Sequence, residues 1–335
     1  MKIELNAPMI IAVVLLVVVL AGEAIVFTSG HEDYSTEASL SGGSISYDIS
    51  ARGSHVYDVV VMDDSAGIPK DVAIYYDESY ASNVKNVAVA VGGRALDQKY
   101  YVEQMVDTLQ LRDVTNVSIV NAEGLRSIMN ANGEGHAVIC LSGSLPKTVY
   151  DGTADSPVLD WISTGGRLYW AGGVIGAYYS DGDKLVTVGP AGTSLFLGSA
   201  CVDETKEKVH ESIDNGFRDA LSMQSNDTLY SPILSLLPDG SHYLGIGYTD
   251  GKRASVTLVG HGDGFVCIAG GDYSNFQRID MAQVLAAGIG PDTILVDTCH
   301  GSVSGHASGS VKAGDQVYIC IGGYFPVYGE LHEVK

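Results

Sequence analysis

The chain has 335 residues, 46% of them hydrophobic and 18% charged, which is enough apolar material to bury a sizeable core and too much for a disordered chain. With 19 Lys+Arg against 40 Asp+Glu the formal net charge is -21; such a surface repels phosphate backbones and excludes nucleic acid as a partner. The 41 glycines follow no G-X-Y period, which rules out a collagen and marks many tight turns.

The amino terminus carries the strongest single feature, the run from Met9 to Phe27, 19 residues with one charge, Glu23. A helix of that length spans about 30 Å, the hydrocarbon thickness of a bilayer. Lys2 precedes it and Glu32, Asp33 and Glu37 follow it. The positive-inside bias therefore predicts residues 1–30 as a cytoplasmic N-terminus and signal anchor, with residues 31–335 outside the cell membrane. Cleavage as a signal peptide is the competing reading, because Gly22 and Ala24 fit a small-x-small site. Two sequons, Asn116-Val-Ser118 and Asn226-Asp-Thr228, suit an outside location as glycosylation acceptors. The five cysteines form no CxxC pair; Cys140, Cys267 and Cys320 sit in apolar strand-like runs as core residues, and one disulfide involving Cys201 or Cys299 stays open.

Residues 31–84 read as β-structure: SISYDIS, HVYDVVVMD and DVAIYYDESY alternate β-branched and aromatic residues between Gly, Ser and Asp. Residues 291–335 have the same character, and the two stretches are predicted to form one membrane-proximal β-rich domain, sandwich-like in build. The alternative is an independent N-terminal hairpin region and a separate β tail. Between them, residues 85–290 switch to strand–helix alternation. Apolar strands are predicted at 86–93, 116–122, 136–143 and 167–173, and helices after Asp97, through Leu125 and Met129, and over 157–163. Strands joined by such crossovers predict a parallel, doubly wound sheet with helices on both faces. A long polar helix is expected near 203–223, then antiparallel strands HYLGIGY, ASVTLVG and GFVCIAGG, with the turn Gly-His-Gly-Asp-Gly joining the last two, and a final helix from Ile279.

The order of elements, ending in LDWISTGGRLYWAGGVIG, resembles the class I glutamine amidotransferase-like superfamily, whose flavodoxin-like domain it would cover over about residues 85–290. In that family a helix ending in Gly-Gly leads to an apolar strand and then a sharp turn of form G-x-C-x-G. The matching turn here is Gly172-Gly173-Val174-Ile175-Gly176, which places Val174 at the nucleophile position. Valine has no nucleophilic atom, so the resemblance implies a non-catalytic, membrane-anchored member without catalytic residues. The stretch AYYSDGDKLVTVG departs from the family, reading as turn and strand where a helix belongs.

Remaining signals are local. Gly92, Gly93 and Arg94 follow a strand and could hold an anion on free N–H groups; Ser142 and Ser144 stand at a strand's carboxyl end, where open α/β sheets bind ligands. These five are the candidate ligand rim. His261 and His300 lie in Gly-rich turns where a pair with Asp263 or Asp297 is conceivable, and Asp181 and Asp183 supply too few oxygens for a calcium loop. No metal site and no cofactor are predicted. The expected function is binding of a protein partner or small ligand, or scaffolding, at the cell surface. An extracytoplasmic hydrolase or amidase with an atypical site, or a structural component of the envelope, stands as the alternative.

Overall fold

The computed structural model describes residues 67–83, 98–202, 223, 227–247, 251–271 and 277–293 with their side chains; for Tyr248, Thr249, Asn275, Phe276 and the strands of residues 34–62 and 294–333 it describes the backbone. Among the described residues the first elements are β1 (Tyr34–Ser41), β2 (Ser44–Ala51), β3 (Val56–Met62) and β4 (Asp71–Tyr75). It continues through α1 (Gln98–Gln110), β5 (Val117–Val120), α2 (Ala122–Met129), β6 (His136–Cys140), β7 (Leu145–Pro146), α3 (Pro157–Ser163) and β8 (Arg167–Trp170). A hairpin of β9 (Tyr178–Asp181) and β10 (Lys184–Thr187) leads to α4 (Pro190–Leu197). Next come β11 (Tyr243–Thr249), β12 (Ala254–His261), β13 (Gly264–Ala269) and α5 (Asn275–Ala286). The chain closes with β14 (Ile294–His300), β15 (Val303–Ser308), β16 (Gln316–Gly322) and β17 (Val327–Glu333).

The result is a mixed α/β structure with a mostly parallel central sheet. Seven strands run in the order β11-β12-β13-β8-β6-β4-β5. The five from β13 to β5 are parallel, while β12 and β11 are antiparallel. The turn His261–Gly264 makes β12 and β13 a hairpin, and that hairpin joins the parallel strands through β13 against β8.

Period-two alternation explains the two-faced core. On β4, Val72 and Ile74 point to one side, where Tyr101, Val102, Met105 and Leu109 of α1 and Met281, Val284 and Leu285 of α5 cover them. Ala73 and Tyr75 point to the other, against Leu125 and Met129 of α2 and Val158, Trp161 and Ile162 of α3. Helix ends follow the local sequence. The Asn121 side chain accepts from Gly124 N at the start of α2, Pro157 opens α3, and Pro190 opens α4.

One element lies differently from the sequence reading. Asp71–Tyr75, grouped by its β-branched and aromatic character with residues 31–84, stands between β5 and β6 inside the parallel sheet. A strand buried on both faces reads as a plain apolar run in either setting, so its sequence did not reveal its partners. The strand expected at 86–93 lies outside the described residues, and of the helix expected near 203–223 only Met223 lies within them. A small sheet, β10-β9-β7, lies within the middle of the chain, and two further sheets each combine strands from both ends of it: β1-β2-β15, and β14-β3-β16-β17. Among the described residues no helix is long and apolar enough to cross a membrane, and residues 9–27 lie outside them.

Candidate functional site

From β4 the chain goes outward to β5 on one side and then returns to β6 on the other. The carboxyl ends of β4 and β6 therefore flank the switch point where open α/β sheets hold ligands. Here that end is covered. Residues 76–83, leaving β4, cross the end of β6: Ser82 Oγ and Asn83 N donate to Ser142 O at 2.9 and 2.8 Å, and Ser144 Oγ donates to Ala81 O at 3.0 Å. Farther over, Ala81 N donates to Gly182 O at the tip of the β9–β10 hairpin, 2.7 Å away. Asp77 anchors the near end. Its carboxylate accepts from Ala122 N at the start of α2 and from the backbone and hydroxyl of Ser79. Burial works to raise its pKa, and those hydrogen bonds outweigh it, leaving Asp77 below the usual carboxylate range.

Beneath this cover, Ser142 and Ser144, read from the sequence as part of a ligand rim, are 3% and 0% exposed and lie in the interior. Their hydroxyls fasten the loops: Ser142 Oγ donates to Ser144 O, and the Cys140 thiol lies 3.4 Å from Ser142 Oγ. Burial pushes the Cys140 thiol up, although hydrogen bonds from Ser142, Gly143 and Ser144 pull the other way. A thiol held in its neutral form is a poor nucleophile.

The turn after β8 is present, and it is packed shut. Gly172, Gly173 and Gly176 have φ of 94°, 130° and 71°. Gly173 O accepts from Trp170 Nε1 at 2.8 Å. A Cβ on Gly176 would come within 2.5 Å of Gly192 O on α4, so glycine is required on grounds of space as well as backbone angle. Val174 is 5% exposed and Ile175 fully buried, both within the core on the α2–α3 side. Ala177 leads into β9 and β10, where the resembling family has a helix.

His261 stands elsewhere. It pairs with Gly264 where β13 begins, and β13 runs parallel to β8 and β6. A strand's length, about 15 Å at 3.3 Å per residue, separates it from Cys140 and Ser142 at the far end. Its Nδ1 lies 3.1 Å from Phe196 O. Gly92, Gly93 and Arg94 and the side chains of Asp297, Cys299 and His300 lie outside the described residues. Cys140, Cys201 and Cys267 are free, buried thiols. Asp181 holds Lys147 Nζ at 2.8 Å, and among the described residues no three His, Cys, Asp or Glu are grouped to hold a metal.

The amino end of the sheet is open where the carboxyl end is closed. A cleft of about 230 Å³ is lined there by Arg167, His242, Asp263, Phe265 and Asp292, with glycines between them. Arg167 opens β8, its guanidinium 5.6 Å above the Phe265 ring and bonded to Gly67 O. Burial lowers its pKa, and the Tyr169 hydroxyl opposes that shift. His242 Nδ1 lies 3.2 Å from Asp292 Oδ1. Sequence reading singled out Asp263 alone of these residues, as a possible partner of His261, and did not join it to the others. A further visible signal was an arginine opening an otherwise apolar strand, RLYW; the other walls come from three distant loops.

Comparison with known proteins adds distant likenesses among solved structures. No family model and no curated protein matches the chain. Among solved structures, a β-galactosidase from Rahnella sp. R3 is similar at 18% identity and a TM-score of 0.38 over 66% of this chain and 31% of its own. The exo-β-1,4-mannosidase Op5Man5 from Opitutaceae bacterium strain TAV5 is similar at 12% identity and a TM-score of 0.33, over 66% of this chain and 36% of its own. The chain thus spans about a third of the length of each.

Proposed function

We propose that this chain is a non-enzymatic binding or scaffolding protein of the cell surface, held by one N-terminal helix at 9–27 with its body outside. Its central part is then a doubly wound, flavodoxin-like domain of the amidotransferase-like kind, and the strands of both chain ends make a sandwich-like domain next to the membrane. Val174 carries the functional half of this reading. It stands where the resembling family places its nucleophile, it has no nucleophilic atom, and it is packed into the core and not presented at the surface. The cover of residues 76–83 over Cys140, Ser142 and Ser144 supports the same reading, because a substrate at the switch point would have to displace four hydrogen bonds.

The deciding experiment is purification of the full chain from its native membranes in mild detergent, with identification of what elutes in stoichiometric amount. A defined protein or small molecule is expected. Hydrolysis of amide, ester or glycosidic substrates by the purified chain, abolished by Cys140→Ala, Ser142→Ala or His261→Ala without loss of folding, would overturn the proposal.

A further inference from the structure

The two sequons match one pattern, but their hydroxyl residues, Ser118 and Thr228, lie differently in the fold. In the second, Thr228 is 2% exposed, its hydroxyl shut inside the protein. In the first, Asn116 and Ser118 are both exposed, and they lie two residues apart on one side of the strand that begins at Val117. Among the described residues that strand, β5, ends the seven-stranded sheet and pairs with β4 alone. Edge strands are normally blunted by charge, proline or a bulge. Val117-Ser118-Ile119-Val120 contains no charge and no proline, pairs with β4 in unbroken register, and leaves Ile119 47% exposed.

We propose that Asn116 carries an N-linked oligosaccharide which covers the open edge of β5, and that the sequon at Asn226 stays bare in the folded chain. The proposal rests on the outside location of residues 31–335. The donor is a lipid-linked oligosaccharide phosphate. Asn116 Nδ2 forms a bond to the anomeric carbon, the bond from that carbon to the phosphate oxygen breaks, and one amide proton leaves. The acceptor nitrogen has two N–H groups, directed to Lys70 O at 3.1 Å and to Asp71 Oδ1; glycosylation removes one, and the other keeps its partner. A groove of about 190 Å³ next to it, lined by Asp71, Asn116, Ser118, Ile128 and His136, offers an apolar floor and polar walls to the first sugar.

The test uses the full chain purified from membranes of the organism that makes it, with its orientation read in parallel by protease protection of intact cells. Peptide mass mapping is expected to find a glycan increment on the Asn116 peptide, none on the Asn226 peptide, and loss of the increment in both Asn116→Gln and Ser118→Ala. Ser118→Ala leaves the Asn116 amide bonds in place, so loss there reports the sequon and not the fold. A bare Asn116 in chains whose body is outside overturns the glycan and leaves the location standing. A protease-shielded body with a bare Asn116 overturns both. Covering is tested by enzymatic removal of the glycan: the stripped chain is expected to shift to larger species in sedimentation, and an unchanged profile refutes the cover.

Discussion

The two ends of the central sheet invert the usual division of labour in open α/β structures. The carboxyl end, where such sheets bind ligands, is roofed by residues 76–83 and filled by the buried turn at Val174. At the amino end Arg167, His242, Asp263 and Asp292 surround an open cleft. Both ends are built from glycine-rich turns, and what separates them is where the next segment goes. After β4 the chain folds back over its own sheet, whereas the loops at 240–242, 260–265 and 290–292, joined by Gly260 N donating to His242 O at 2.9 Å and by His242 Nδ1 beside Asp292 Oδ1, still leave a space between them. A site at the end of a sheet is therefore a property of the connections, and the strands themselves do not decide it.

The largest expected effect is at the open end. Gly264 packs so closely that an added Cβ would lie 2.1 Å from Gly166 O and 2.3 Å from Ile162 O, both backbone atoms that cannot move aside alone. Gly264→Ala should cost about 3 kcal/mol or more, read as a lower Tm of the detergent-solubilised chain. A cost below about 1 kcal/mol would mean that the amino-end turns are loose and that the cleft has no rigid wall. Next is the closed end. Val174→Cys places a thiol in the buried turn after β8 at a cost under about 1.5 kcal/mol. That thiol should react with a thiol reagent no faster than the parent's own cysteines until the chain is unfolded. Rapid labelling of the native variant would show the roof to be open and would remove the contrast between the two ends.

Much of this contrast was partly legible in the sequence. The strand–helix alternation, the Gly-Gly stop before β8 and the glycine-rich turn around Val174 are local patterns that survive folding unchanged. The β9–β10 hairpin after the turn was also readable, from Tyr178-Tyr179 and the Asp-Gly-Asp tip. What was not legible depends on partners far along the chain. The position of Ser142 at a strand end follows from sequence, but its burial depends on Ser82 and Asn83, about 60 residues earlier. Likewise Asp71–Tyr75 looks the same in a β-rich end as between β5 and β6, because the unbroken apolar run Val72-Ala73-Ile74-Tyr75 suits either setting. The cleft around Arg167 draws on loops that no periodicity connects.

Smaller effects sharpen the picture of the roof. Ser144→Ala removes the donor to Ala81 O from a fully buried site and should cost about 1 kcal/mol. Faster amide exchange confined to residues 79–83 is the expected signature, and a change spread over β6 and β8 would make the roof part of the core instead. Asp77→Asn weakens the anchor at α2 by a similar amount, about 1 kcal/mol as for other helix caps. Because the folded pKa of Asp77 is lowered, its contribution is present above the unfolded value, near 3.9, and lost as pH falls through the folded one. The stability gap between parent and variant in urea unfolding should therefore be full at pH 6 and shrink below about pH 4. A gap that is constant with pH would remove the carboxylate from the anchor.

The smallest effect is expected from the pair that looks most conspicuous on the surface. Lys147 Nζ reaches Asp181 Oδ2 at 2.8 Å and ties the loop after β7 to the β9–β10 hairpin, but both side chains are about half exposed. Exposed pairs of this kind gain little in water and are screened by salt. The same junction is already closed by Lys147 N donating to Ser180 O at 2.8 Å and by the parallel pairing of β7 with β9. Lys147→Ala should leave the Tm unchanged within error at low and at high salt, with amide exchange in residues 79–83 as slow as in the parent. A measurable loss at low salt alone would show that charge, and not the hydroxyl and backbone bonds around Ser142 and Ser144, holds the hairpin under the roof.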